Sequence, residues 1–274
     1  MTEQEYRESS RLNASGLKEL YRSPAHFKYW LDNPPEPTPA MEFGTAVHMA
    51  ILQPDKFYKT YMYIDDAQIC AEIGGAKPRA TSKYKLWKAD LMMANPGFKI
   101  IDAEDFKRVE DITSAVNAHS LAGPLIRERG EVELSIEWEY PNFATPMKSR
   151  LDKLTYSGVI VDIKTCNDAR PTAFARDIWN YLYHIQAAVY QQAVASIDGL
   201  LAKFVFIAIE KEPPYAVAVY TLDESTMALG VSEVDRLVGE YEYCTALGVW
   251  PAYREEMRTI ALPSWASATL TEVI

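Results

Sequence analysis

An aspartate and a lysine two positions apart, Asp162 and Lys164, lie inside the apolar run Val159-Ile160-Val161-Asp162-Ile163-Lys164. Alternate side chains of a strand leave the same face, so this carboxylate and ammonium emerge together while Val161 and Ile163 point the other way. An unpaired charge in so apolar a strand is costly, and the usual compensation is an ion pair or a metal ion. Asp152 belongs to the preceding extended segment, which a meander brings alongside Asp162. Two carboxylates pressed together repel unless a divalent cation sits between them, and Mg2+, a hard ion, prefers such oxygens. Glu133, on the polar face of an earlier strand, supplies a third carboxylate, with Glu131 on the same face as its alternative, and His48 projects from an upstream helix. Lys164 beside such an ion would orient a water and offset charge developing on a phosphate. Singly these residues are commonplace, since a D-x-K pair is usually a surface ion pair and a lone histidine on an apolar helix a satisfied core residue. Their joint order suits phosphodiester hydrolysis.

The elements that must carry these groups are legible from periodicity. Ser15 reads as the cap of a helix that turns Leu17, Leu20 and Tyr21 inward, and a second short helix holds Phe27 and Trp30. After the proline cluster at 32–40, residues 41–52 read as a buried helix containing His48. From Glu131 the period becomes two, with Val132, Leu134, Ile136 and Trp138 alternating with polar residues. Residues 147–155 and 159–164 resume that pattern after turns, which makes a three-strand antiparallel meander. A long helix over 171–197, strands over 203–210 and 215–221, and a helix over about 223–248 complete the pattern. The expected fold is α/β with a central mixed sheet flanked by helices. One domain over 1–274 is expected, with 1–40 a helical N-terminal addition to a core at 41–274 that ends in a helix and tail.

Composition narrows the classes. The chain has 274 residues, 48% of them hydrophobic, enough for one large core. No apolar run reaches the roughly 20 residues that span a bilayer, and the N-terminus lacks the layout of a signal peptide, so a soluble intracellular protein is expected. Cys70, Cys166 and Cys244 are far apart and form no CxxC, which excludes a zinc or iron–sulfur site built from cysteine alone. The net charge of −10 speaks mildly against a protein that coats nucleic acid. Locally, however, residues 76–89 carry Lys77, Arg79, Lys83, Lys85 and Lys88 with no acid among them, and Tyr84 and Trp87 are available for stacking. That strip is either a solvated face or a phosphate contact.

The segments SPAHFKYWL, FGTAVHMAIL at 43–52, RLDKL at 150–154, VDIKT at 161–165, YHIQAAVY at 183–190 and LPSWA at 262–266 occur in series. In that order they resemble the nuclease domain of RecE-type exonucleases (exonuclease VIII), a phage and prophage branch of the RecB-like, PD-(D/E)xK nucleases. The resemblance implies a restriction-endonuclease-like core and assigns roles by position. His48 matches the metal-binding histidine, Glu133 the upstream acid, Asp152 the first aspartate, and Asp162 and Lys164 the D-x-K pair. Ile163 would lend its backbone carbonyl to the metal, Gln186 and Tyr190 match a Q-x-x-x-Y motif facing DNA and the active centre, and Arg150 falls among the DNA-contacting residues. Leu151 stands where the family usually has proline, which touches strand geometry more than chemistry. The resemblance further implies Mg2+ as cofactor, with Mn2+ as substitute and one or two ions per site. It implies 5′-to-3′ digestion of linear duplex DNA in the cytoplasm of a bacterial host, a homo-oligomeric ring, and a single-strand annealing partner of the RecT type.

The basic strip gives the first test. If it contacts phosphates, replacing Lys83, Lys85 and Lys88 together by glutamine weakens DNA binding at every sequence alike, because phosphate contacts carry no base information. The slope of log affinity against log salt then falls by roughly 2.7, at about 0.9 per lost contact. An unchanged slope in a salt titration identifies a solvated face.

Overall fold

The computed structural model describes residues 3–74, 78–199 and 201–261. Lys77 and the LPSWA segment of the sequence reading lie outside them. In chain order the elements are α1 (Glu3–Glu8), α2 (Ala14–Arg22), α3 (Pro24–Asp32), α4 (Pro39–Leu52), α5 (Pro54–Thr60), β1 (Tyr61–Ile64), α6 (Asp66–Ile73) and α7 (Ser82–Ala94). There follow β2 (Lys99–Asp102), α8 (Ala103–Ala118), α9 (Ala122–Arg127), β3 (Gly130–Tyr140), β4 (Thr145–Thr155) and β5 (Val159–Cys166). The last are α10 (Pro171–Asn180), α11 (Tyr183–Asp198), β6 (Lys203–Glu210), β7 (Val217–Tyr220) and α12 (Glu224–Leu247).

The main sheet runs β3-β4-β5-β6-β7. It is mixed: β3, β4 and β5 form the antiparallel meander, β6 joins β5 in parallel, and β7 returns antiparallel. A parallel pair needs a crossover, and α10 and α11 supply it. Strands covered on both faces should be apolar nearly throughout, and β5 and β6 read that way. Ile160, Phe204, Phe206 and Ala208 enter the core under α2, α3, α11 and α12, while Val161, Ile163, Ile207 and Ile209 enter a second core with α4 and α8. Asp162 and Lys164 are the charged exceptions.

The sheet opens where the site lies. β4 and β5 pair only at Lys153–Val161 and Leu154–Ile160, and then the strands part. Towards its start, β4 instead pairs with the N-terminal segment: Leu12 N–H donates to the Pro146 carbonyl (3.0 Å), and Lys148 N–H donates to the Leu12 carbonyl (2.8 Å). Buried Lys148 fastens α1 beside it, donating to the Tyr6 and Ser9 carbonyls at 2.6 Å each. The residues before 40 are therefore built into the sheet edge, and Leu12, Leu17, Leu20 and Phe27 share the core of the main sheet.

Four local differences from the sequence reading have physical causes. Asn13, not Ser15, caps α2, because its side chain reaches Gly16 N–H at 2.8 Å while Ser15 is exposed inside the helix. The expected helix over 171–197 is two helices, broken at Leu182, whose φ of +53° ends one helical path and redirects the next. β1 and β2 form a separate parallel pair that periodicity did not announce. Glu133 interrupts the regular alternation of β3, with φ at +53° in the left-handed region that most residues avoid. Elsewhere close packing dictates the residue: a Cβ on Gly230 of α12 would stand 2.5 Å from the His184 carbonyl, so only glycine lets α12 lie this near α11.

Candidate active site in the split between two strands

Where β4 and β5 separate, Asp152 and Asp162 occupy facing positions. The ladder is not simply lost there: Ile163 N–H donates to Asp152 Oδ2 at 2.8 Å, so a side-chain carboxylate takes the place of a strand partner. The same oxygen lies 3.3 Å from His48 Nδ1. α4 can deliver His48 because its small residues, Ala46 and Ala50 among them, let it pack closely on the sheet. A carboxylate only accepts, so Nδ1 is the donor of this pair and Nε2 is left for other partners. Burial works against a charged imidazole, but the Asp152 charge and hydrogen bond outweigh it and raise the His48 pKa. Asp152 moves oppositely: burial pushes its pKa up, and His48, Lys164 and the Ile163 N–H together bring it below the usual value.

Asp162 is the most enclosed group, with its side chain 1% exposed. Burial raises its pKa, Lys164 lowers it and Asp152 raises it again, and the net direction is upward. Its Oδ1 accepts from Gln186 Nε2 at 2.9 Å. Its Oδ2 is buried and lies 2.5 Å from the Lys164 ammonium, which compensates its charge. Tyr190, one helical turn beyond Gln186 and hydrogen-bonded to it, has its hydroxyl pKa driven well up by burial and by both aspartates.

The sequence reading missed one member of this group. Lys18, on α2, donates to Gln186 Oε1 at 2.8 Å. Its Nζ stands 5.1 Å from the centroid of the Tyr183 ring, and Lys164 Nζ stands 4.8 Å from the same ring. Burial, with Lys164 nearby, lowers Lys18 to about 7. A lysine flanked in sequence by the buried Leu17 and Leu20 was the available signal, but nothing local says which wall that helix lines.

Other expected residues lie elsewhere or are engaged. Glu133 takes Arg150 Nε at 2.7 Å, and Arg150 also donates to Ser135 Oγ at 3.0 Å, so acid and arginine neutralise each other. Glu131 accepts from the Tyr156 hydroxyl at 3.0 Å. Arg79 pairs with Asp102, and Lys83 donates to the Ile73 carbonyl at 3.1 Å. Lys85 is exposed and Lys88 half-buried on α7, a helix with no buried residue. Among the described residues no three histidine, cysteine, aspartate or glutamate side chains converge as a metal cluster. His48 and Asp152 meet at one end, while Lys164 and Gln186 hold Asp162 and Arg150 holds Glu133.

The donor chemistry nevertheless fits a hard divalent ion. Two facing carboxylates, one of them already held by a lysine ammonium, with a histidine beside the other, are the oxygen and nitrogen donors that such an ion takes.

Comparison with known proteins bears on the fold. Residues 13–263 match the family model described as a PDDEXK-like domain of unknown function (DUF3799). The chain belongs to this family. The crystal structure of a candidate exonuclease from Eubacterium rectale superposes with a TM-score of 0.64 at 18% identity, covering 100% of this chain and 99% of that one. A protein solved as SSO0001 aligns at 14% identity and TM-score 0.33 over 89% of this chain and 88% of its own. An alkaline exonuclease from Laribacter hongkongensis aligns at 15% identity and TM-score 0.28 over 66% of this chain and 96% of its own. No curated protein matches the chain. The PDDEXK-like fold, a central mixed sheet flanked by helices, is thus the one the residues led us to expect.

The His48–Asp152 pair carries a pH signature. His48 is raised above its ordinary 6.5, so its stabilisation is complete below that value and is lost as pH rises through the raised value. In urea unfolding of the metal-free protein, the stability difference between wild type and His48→Asn shrinks from about pH 6 to about pH 9. A difference that grows over that range contradicts the pairing.

Proposed function

We propose that this chain is a Mg2+-dependent exodeoxyribonuclease that digests linear duplex DNA from 5′ ends and leaves 3′ single strands. The observation that carries the reading is the split between β4 and β5, where Asp152 and Asp162 face each other with the Lys164 ammonium on Asp162 Oδ2. The serial match of motifs to RecE-type exonucleases and the fold shared with a candidate exonuclease support it. In this reading Asp152, Asp162, the Ile163 carbonyl and His48 would hold Mg2+, for which Mn2+ substitutes. Bound there, the ion supplies Lewis acidity towards a phosphate oxygen and lowers the pKa of a water.

The remaining work falls to the chain's own groups. The Ile163 N–H and the His48 imidazole orient the Asp152 carboxylate, and the Gln186 amide orients that of Asp162. Lys164, its side chain 14% exposed, orients the attacking water through Nζ and offsets negative charge that grows on the phosphate. Tyr183 and Tyr190 keep bulk water from the carboxylates, which strengthens each of these interactions. Lys85 and Lys88 of the basic strip, with Arg79, Lys83 and Arg150 where DNA displaces their present partners, would provide cations for the DNA backbone. A homo-oligomeric ring around the product strand would set a basic channel inside an acidic exterior, and a RecT-type annealing protein would receive the strand.

A duplex labelled at either its 5′ or its 3′ ends tests this reading, with Mg2+ present and then chelated. The expected outcome is early loss of the 5′ label, no action on a closed circle, and no reaction after chelation. Asp162→Ala lowers the rate on the order of a hundredfold or more while DNA binding persists. Nicking of the circle indicates an endonuclease, and binding without cleavage a non-catalytic module; either outcome displaces the proposal.

A further inference from the structure

A glutamine amide has two ends of nearly the same shape and opposite hydrogen-bonding sense, so its usefulness beside a carboxylate depends on what fixes its orientation. Gln186 has one such partner at each end. Lys18 Nζ, which as an ammonium can only donate, sits 2.8 Å from Oε1, and Asp162 Oδ1 accepts from Nε2 at 2.9 Å. With the lysine in place, turning the amide over would set N–H groups against an ammonium and a carbonyl oxygen against a carboxylate. Without it, the Asp162 end alone selects the orientation, since the Tyr190 hydroxyl, which also meets Gln186, can donate or accept.

The geometry points to Lys18 as a positioning residue of the nuclease reaction, acting through Gln186 to fix the plane of the Asp162 carboxylate. This rests on the nuclease reading above. The consequence reaches the other oxygen: a carboxylate whose Oδ1 is held by a fixed donor presents Oδ2 in one direction, towards Lys164.

The support for Lys18 is itself rigid. Leu12 is tied by two backbone hydrogen bonds to β4, Asn13 caps α2 immediately afterwards, and Leu17 and Leu20 are 0% and 1% exposed on either side of Lys18. The aromatic ring of Tyr183 faces both ammonium groups and leaves the Lys18 stem little freedom. The N-terminal segment therefore belongs to the reaction machinery through one hydrogen bond.

The test combines an activity cycle with a signal that needs neither metal nor DNA. In the metal-free protein, the Gln186 side-chain amide should give one sharp, slowly exchanging pair of NMR resonances in wild type and in Lys18→Arg. In Lys18→Met the pair should broaden and exchange freely. With a linear duplex and Mg2+, Lys18→Met should lower kcat on the order of tenfold with KM within about twofold, and Lys18→Arg should restore most of it. In a Gln186→Ala background, Lys18→Met should change kcat by less than about twofold, because the path through the amide is already cut. Additive losses, a KM effect that persists without Gln186, or an unaltered Gln186 amide in Lys18→Met overturn the proposal. Should Lys18→Met fail to fold, Lys18→Gln is read by the same measurements. A wild type that does not cleave DNA sinks the nuclease reading instead, and the amide resonances then decide the positioning claim alone.

Discussion

A carboxylate shut almost completely inside a protein has to be compensated where it stands, and at this site that carboxylate is Asp162. Water reaches little of it, burial drives its pKa upward, and the apolar side chains beside it in β5 offer no hydrogen bonds. Each neighbouring feature answers that cost. Lys164 leaves the same face two residues on, Gln186 donates from α11, and Lys18 holds Gln186 from behind. Gln186 thus satisfies Oδ1, and the Lys164 ammonium compensates Oδ2. Buried ionisable groups that shift one another in this way concentrate at functional sites.

The split between β4 and β5 is the architectural counterpart of this constraint. A fully paired ladder would leave no space between two facing aspartates. Here pairing stops after two residue pairs, the Asp152 side chain accepts the next strand N–H, and Leu12 occupies the edge of β4 further along. The sheet therefore forks around the carboxylates, with α4 closing one side through His48 and α2 and α11 the other. The β3–β4 register skips Glu133 and Asp152, and Glu133 adopts a left-handed backbone and turns to Arg150. Strain of that kind inside a strand costs on the order of 1–3 kcal/mol and persists only where the surroundings enforce it.

Much of this was readable because it depends on local repetition. The period-two pattern from Glu131 onward gives the meander, and the same rule puts Asp162 and Lys164 on one face of an apolar strand. What escaped depends on contacts distant in sequence. Lys18 and Gln186 are far apart in the chain, and an amphipathic helix does not disclose which of its lysines looks into a site. The break at Leu182 carries neither glycine nor proline, so the long helical pattern ran through it. The pairing of Glu133 with Arg150 was hidden because alternation predicts a face, not a partner. For the basic strip, sequence shows the charges, whereas the structure shows Arg79 paired with Asp102 and Lys83 bonded to a helix-end carbonyl.

The central claim is that a divalent cation belongs between the facing aspartates, at the oxygen now held by Lys164. Anomalous diffraction from crystals soaked in Mn2+ locates such an ion directly. The account predicts one or two peaks in contact with both Asp152 and Asp162, with Lys164 Nζ withdrawn from Asp162 Oδ2, and their absence in Asp162→Ala crystals. A wild-type crystal with Lys164 still on Asp162 and manganese found only elsewhere on the surface would contradict it.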